Sequence, residues 1–114
     1  MTNVNPSVAM LGLGAMGLPM AARLRERGTV KGFDPSPERR QLALKQDIAV
    51  SDNPREAATG SDYVFIAVRN LEQLESSLFG SQGIAEVMVP GVVVVVTSTI
   101  GVDGLRQGAQ RLEA

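Results

Sequence analysis

The sequence predicts an open, doubly wound α/β sheet, with parallel strands and helices on both faces. Short apolar segments alternate along the chain with segments of helical length. Residues 63–68 and 92–96 are apolar throughout, which is typical of parallel strands buried on both faces. The 114 residues, of which 44% are hydrophobic and 20% charged, suit one globular domain.

The first half of the chain contains three predicted strands. The first covers residues 7–11 and leads to a helix over 16–27, where Pro19 falls in the first turn and its missing N–H does no harm. A second strand at 29–33 is followed by a Pro-Ser-Pro turn and a helix over 38–45. Residues 48–50 form a short third strand. Asn53-Pro54 then signals the start of a short helix that runs to residue 58.

The second half continues the alternation. A fourth strand at 63–68 precedes a helix over 71–79, with Leu71, Leu74 and Leu78 on one face. A short helix at 84–89 leads to a fifth, fully buried strand at 92–96, and a last helix covers 102–112. With right-handed crossovers, we expect the strand order 3-2-1-4-5.

Composition excludes several classes of function. Lysine and arginine total 11 and aspartate and glutamate 12, and aromatic residues are only 4%, which argues against nucleic-acid binding. Cysteine and histidine are absent, so disulfides, thiol catalysis, the usual zinc sites and histidine acid–base chemistry are excluded in this chain. The apolar run over 8–22 is too short and too broken by glycine to span a membrane. We expect a soluble, cytoplasmic protein without a metal site.

A glycine motif follows the first strand. Gly12, Gly14 and Gly17 form G-x-G-x-x-G: the first allows a tight turn, the second lets a pyrophosphate approach the backbone, and the third lets the helix pack closely. The helix that follows points free N–H groups and its positive dipole end at the phosphates. Taken by itself, the motif is also compatible with an ordinary glycine-rich turn.

An acidic residue, Asp34, ends the second strand. An acid there is placed to accept hydrogen bonds from an adenosine ribose. Strand, glycines, helix, strand and acid in this order predict a dinucleotide-binding, Rossmann-type domain. Ligands of such sheets bind beyond the carboxyl ends of the strands, which directs attention to residues 12–17, 68–70 and 98–99.

Four segments resemble the β-hydroxyacid dehydrogenase family, which includes 3-hydroxyisobutyrate, tartronate semialdehyde and L-threonate enzymes. They are MLGLGAMGLPMA (10–21), FDPSP (33–37), LFGSQGI (78–84), and the stretch from Pro-Gly at 90–91 through the valines to STI (98–100). The likeness covers nearly the whole chain. It implies the NAD-binding part of an oxidoreductase that transfers a hydride between a small hydroxy acid and a nicotinamide cofactor.

The resemblance also implies site residues. Cofactor contacts fall on the glycine loop and on three later segments: Gly12, Leu13, Gly14, Ala15, Met16, Gly17, Val68, Arg69, Gln73 and Thr99. Ser98 matches a serine that helps to hold the substrate carboxylate. Many members carry Leu-Pro where this chain has Val68-Arg69. The N-x-x-Q spacing of residues 70–73 is closer to that of the threonate dehydrogenase branch. Other roles stay open: Asn70 as a helix cap, Arg69 as a surface charge, and Ser98 and Thr99 as capping residues.

The choice of cofactor depends on Asp34. Family members that prefer NADP tend to have Asn-Arg-Thr after the second strand, whereas Asp34 would repel a 2′-phosphate, so NAD is favoured over NADP. Arg39 and Arg40 lie a few residues downstream, where they could serve a phosphate, but we interpret them as solvated helix charges.

The resemblance places the catalytic lysine, the substrate loop and a helical second domain beyond residue 114. Neither Lys31 nor Lys45 is placed to transfer a proton, so we expect no catalytic residue in this chain. Residues 1–114 are expected to form a single dinucleotide-binding domain. Such a chain should bind NAD weakly and turn over nothing. The alternative is a stand-alone nucleotide-binding or sensing module; a Rossmann domain for an S-adenosyl ligand is disfavoured by the spacing. The strand from Val92 to Val96 would lie at an open edge, where we expect self-association.

Overall fold

The computed structural model describes residues 6–67, 71–80 and 83–97. The strands are β1 (Ser7–Leu11), β2 (Thr29–Phe33), β3 (Ala49–Val50), β4 (Tyr63–Ile66) and β5 (Val93–Val96). The helices are α1 (Gly17–Arg25), α2 (Pro37–Lys45), α3 (Pro54–Ala58) and α4 (Leu71–Phe79), with a 3₁₀ turn at Ala85–Val87. The last predicted helix, 102–112, lies outside the described residues. None of the described helices has the length and apolar character needed to cross a bilayer.

The five strands form one parallel sheet in the order β3-β2-β1-β4-β5, which confirms the predicted order. The register aligns the strand ends. Leu11 lies opposite Phe33 on one side and Ile66 on the other, and Ile66 lies opposite Val96. Because β1, β2, β4 and β5 run in the same direction, the residues that follow these strands emerge at one edge of the sheet.

The central strand β1 is buried on both faces, because its side chains alternate between two cores. Val8 and Met10 join the core that includes Leu13 of the glycine loop and Ala21 of α1. The other face contributes to a separate core, formed with α3, α4 and the segment after α4: Ala9, Leu11, Ala57, Ala58, Val64, Ile66, Leu74, Leu78 and Ile84. The two cores hold β1 and the start of its loop in a fixed position.

Helix α3 is fastened to the sheet by polar contacts at both of its ends. The side chain of Asn53 accepts a hydrogen bond from the Glu56 N–H at 2.8 Å and caps the first turn. At the other end, Lys31 Nζ of β2 donates to the carbonyls of Thr59 (2.9 Å) and Glu56 (3.3 Å). A cation is favourable at this terminus, where helix carbonyls lack partners.

The prediction that the fifth strand is fully buried is wrong. Val93 is 47% exposed, and the other three residues of β5 are only half-buried. Within the described part of the chain, β5 is the outer strand and pairs with β4 alone. Val94 and Val96 pack against the core of α3 and α4, whereas alternation turns Val93 and Val95 toward the opposite face. An apolar run predicts a strand but not how many of its faces are covered.

Candidate functional site

The candidate site lies at the carboxyl edge of the sheet. Gly12, Asp34, Ala67 and Thr97 directly follow β1, β2, β4 and β5 there. Backbone hydrogen bonds keep these ends in line: Gly12 N donates to Phe33 O at 2.8 Å, Ala67 N to Leu11 O at 2.8 Å, and Thr97 N to Ile66 O at 3.1 Å. The order in which strands are added reverses at β1: β2 and β3 lie on one side of it, and β4 and β5 lie on the other. Doubly wound sheets open a crevice at this point, between β1 and β4.

Two glycines of the loop are required by contacts within the chain. Gly12 has φ +108°, a backbone conformation that other residues rarely adopt, and a Cβ there would collide with the carbonyl oxygen of Ala67. A Cβ on Gly17 would collide with the carbonyl oxygen of Gly12. Gly12 therefore makes the turn, and Gly17 lets the start of α1 approach it.

Gly14 has no such internal reason to be glycine. Nothing lies within 4 Å of the position that its Cβ would occupy, and its φ is not positive. Among the nine glycines of the described segments, Gly14 alone has neither a close neighbour nor a left-handed backbone. The space beside it is open, so a glycine here fits a requirement imposed by a ligand.

The start of α1 presents unpaired backbone donors. Among the described residues, the N–H groups of Gly14, Ala15, Met16 and Gly17 have no acceptor, and the next N–H, that of Leu18, donates to Gly14 O at 3.1 Å. Met16 occupies the N-cap position without a side-chain hydrogen bond, and the first turn contains no acid. Bare N–H groups at the positive end of the helix dipole favour an anion such as a pyrophosphate.

Asp34 connects β2 to the glycine loop. Its Oδ2 accepts a hydrogen bond from Leu13 N at 2.8 Å, and its Oδ1 accepts one from Ser36 N at 2.9 Å. These bonds fix the carboxylate beside the loop. Since a carboxylate oxygen can accept more than one hydrogen bond, acceptor capacity is left for a ligand hydroxyl.

Arg40 is bound to the same segment, and its interpretation as a solvated charge is wrong. Its guanidinium Nη1 donates to Asp34 O at 2.6 Å, and Cζ lies 6.0 Å from the centroid of the Phe33 ring. Its neighbour Arg39 is exposed, as expected. A sequence signal exists in principle, because helical side chains point toward the N-terminus and Arg40 lies one turn after the Ser36 cap.

The structure brings together the seven predicted residues of the first two strand ends: Gly12, Leu13, Gly14, Ala15, Met16, Gly17 and Asp34. Gln73 lies half-buried in the first turn of α4. Val68, Arg69, Asn70, Ser98 and Thr99 fall outside the described residues. The side chains of the described segments form no cluster of three or more groups that could hold a metal ion.

Known proteins match this chain over nearly its whole length. A family model described as the NAD binding domain of 6-phosphogluconate dehydrogenase matches residues 7–114. An L-threonate dehydrogenase of Haemophilus influenzae is 36% identical over 98% of the chain, which spans 38% of that protein.

Solved structures give the same result. A 3-hydroxyisobutyrate dehydrogenase of Mycobacterium tuberculosis, determined with L-serine, superposes with a TM-score of 0.87 at 28% identity, over 95% of this chain and 36% of that one. A 3-hydroxyisobutyrate dehydrogenase from Salmonella typhimurium gives a TM-score of 0.84 at 32% identity, over 94% of this chain and 38% of that one. The chain spans little more than a third of these relatives.

Proposed function

The chain belongs to the family of the NAD binding domain of 6-phosphogluconate dehydrogenase, and on this premise we propose how it binds its cofactor. The observation that carries the proposal is the row of unpaired N–H groups from Gly14 to Gly17, beside a glycine that nothing in the described chain requires. The pyrophosphate of the cofactor would accept hydrogen bonds from these groups. No positive side chain is needed there, because the helix terminus supplies the favourable potential.

The adenosine ribose would lie against Asp34. The carboxylate stands at the end of β2 and is already oriented by the N–H groups of Leu13 and Ser36. It can accept hydrogen bonds from ribose hydroxyls, and its negative charge would repel a 2′-phosphate. We therefore propose NAD rather than NADP as the preferred cofactor.

The whole protein, in this proposal, is an oxidoreductase of small hydroxy acids whose nicotinamide cofactor carries the hydride. Its catalytic lysine and its helical second domain would lie beyond residue 114. Within this chain, Lys31 is engaged with α3 carbonyls and Lys45 is exposed in the last turn of α2. The remaining contacts inferred from the resemblance complete the proposed site: Val68, Arg69, Gln73 and Thr99 for the cofactor, and Ser98 for the substrate carboxylate. We propose a cytoplasmic location.

Calorimetric titration of the purified chain with NAD and with NADP tests this proposal. We expect NAD to bind more tightly and the preference to disappear in Asp34→Ala. Asp52→Ala is the matched control, since it removes an exposed acid that follows β3 at the same edge of the sheet. Equal affinities in the unmodified chain, or no binding of either cofactor, would contradict the proposal.

A further inference from the structure

We propose that Arg40 is a positioning residue, which orients Asp34 and thereby sets the selectivity between NAD and NADP. The inference rests on the proposed function, because it concerns the same ribose contact. It starts from a guanidinium that is bound to a backbone carbonyl and not to a carboxylate: Arg40 Nη1 donates to Asp34 O at 2.6 Å. Among the described residues, no ion pair joins this guanidinium to an acid.

Three separate segments hold Asp34. The glycine loop donates to Oδ2 through Leu13 N, the turn after β2 donates to Oδ1 through Ser36 N, and α2 donates to the backbone carbonyl through Arg40. The two N–H groups fix the carboxylate, and the guanidinium fixes the peptide that bears it. A hydrogen bond from a charged donor is stronger than one between neutral groups, so Arg40 supplies a firm part of this arrangement.

The side chain of Arg40 is itself held in place. Its own N–H donates to Ser36 O at 3.2 Å in the first turn of α2, and the guanidinium lies over the Phe33 ring of β2. Arg40 is half-buried between α2 and the end of β2, whereas Arg39 is exposed on the same helix. The two arginines therefore have equal charge and adjacent positions but only one of them contacts the site.

Positioning predicts a selective effect on affinity. When Arg40 is removed, the two N–H groups still contact the carboxylate, but the peptide that bears Asp34 is held less firmly, so hydrogen bonds to the unmodified ribose weaken. NADP, whose 2′-phosphate the carboxylate repels, should be affected much less. If Arg40 instead bound the 2′-phosphate of NADP directly, its removal would have the reverse effect and lower only the affinity for NADP.

The experiment compares NAD and NADP affinity by calorimetry in three variants. Arg40→Met keeps an unbranched side chain and removes the charged donors. Arg39→Met is the matched control, and Arg40→Lys keeps the charge and a single donor group. For Arg40→Met we expect NAD affinity to fall about fivefold and NADP affinity to change little. Arg39→Met should leave the ratio unchanged, and Arg40→Lys should lie between Arg40→Met and the unmodified chain.

A double variant shows whether Arg40 acts through Asp34. If it does, Arg40→Met should have no further effect on NAD affinity in a chain that already carries Asp34→Ala. Equal losses for both cofactors, no loss, or a loss confined to NADP would each overturn the inference. Should Arg40→Met be unfolded in a thermal melt, Arg40→Lys is judged by the same three criteria.

The outcomes separate the inference from the proposed function. If the unmodified chain does not bind NAD, the proposed function itself fails. If Asp34→Ala abolishes the preference for NAD and the Arg40 variants keep it, only the role of Arg40 is refuted.

Discussion

At the scale of single residues, the glycines of the loop should respond differently to the same substitution. Gly14→Ala places a methyl group in open space and requires no left-handed backbone. We expect thermal unfolding to show no loss of stability, since alanine at a compatible position can add about 0.4–1 kcal/mol. Because the methyl group would meet the bound pyrophosphate, calorimetry should show NAD affinity reduced about tenfold or more.

Gly17→Ala should act through the fold. Its methyl group would overlap the carbonyl oxygen of Gly12, so the start of α1 must move away from the loop. Overpacking of this kind costs about 1–3 kcal/mol, and we expect chemical denaturation to show a loss of that size. If Gly14→Ala destabilised the chain as much as Gly17→Ala, the space beside Gly14 would not be free for a ligand.

At the scale of elements, Lys31 illustrates a polar contact that serves the fold and not the site. Lys31→Met removes the ammonium from the last carbonyls of α3, and we expect a loss of about 0.5–1.5 kcal/mol in denaturant unfolding. NAD affinity should stay unchanged, because Lys31 lies two residues before the end of β2.

The control for Lys31 is Lys45→Met, which removes an exposed charge from the last turn of α2; no acid among the described residues forms an ion pair with Lys45. Its effect on stability should be no more than a few tenths of a kcal/mol. A fall in NAD affinity in Lys31→Met, without a loss of stability, would assign Lys31 to the site.

Much of the arrangement of these elements was predictable from the sequence. β1 and β2 have the predicted bounds, because turn-forming glycine or proline residues lie at or next to the ends of each mainly apolar segment. The positions of Gly12, Gly17 and Asp34 relative to the strands followed from the same pattern. Right-handed crossovers then left one strand order, and the sheet has it.

Features that depend on contacts between distant elements were not predictable in this way. Burial of β5 depends on which helices cover each face, and five valines in a row do not contain that information. Helical spacing from the Ser36 cap brings the side chain of Arg40 toward the end of β2, but its contact with the carbonyl of Asp34 also depends on the direction in which α2 leaves its turn. Similarly, the glycine motif predicts that a pyrophosphate approaches the backbone at Gly14, but only the structure shows that the space beside this residue is open.

At the scale of the whole molecule, the chain should bind a cofactor without catalysing a reaction. Its two lysines lie away from the loop, and it has no histidine or cysteine. With NAD and a panel of small hydroxy acids, we expect no substrate-dependent NADH absorbance from the purified chain, while L-threonate dehydrogenase of Haemophilus influenzae serves as the positive control. Turnover by the purified chain would show that its own residues complete an active site.

The outer strand β5 predicts how the purified chain behaves at high concentration. Its valines carry no charge, and among the described strands it pairs with β4 alone, so a second copy can add to its free edge. We expect sedimentation velocity to show concentration-dependent association that Val93→Lys reduces, because a lysine on an edge strand opposes pairing. Val93 is 47% exposed, so the lysine can reach water without disturbing the core.

Val89→Lys is the control, because Val89 is 65% exposed and lies before the strand. Equal suppression by both lysines would mean that net charge, and not the edge of β5, governs association; a monomer at all concentrations would contradict the prediction.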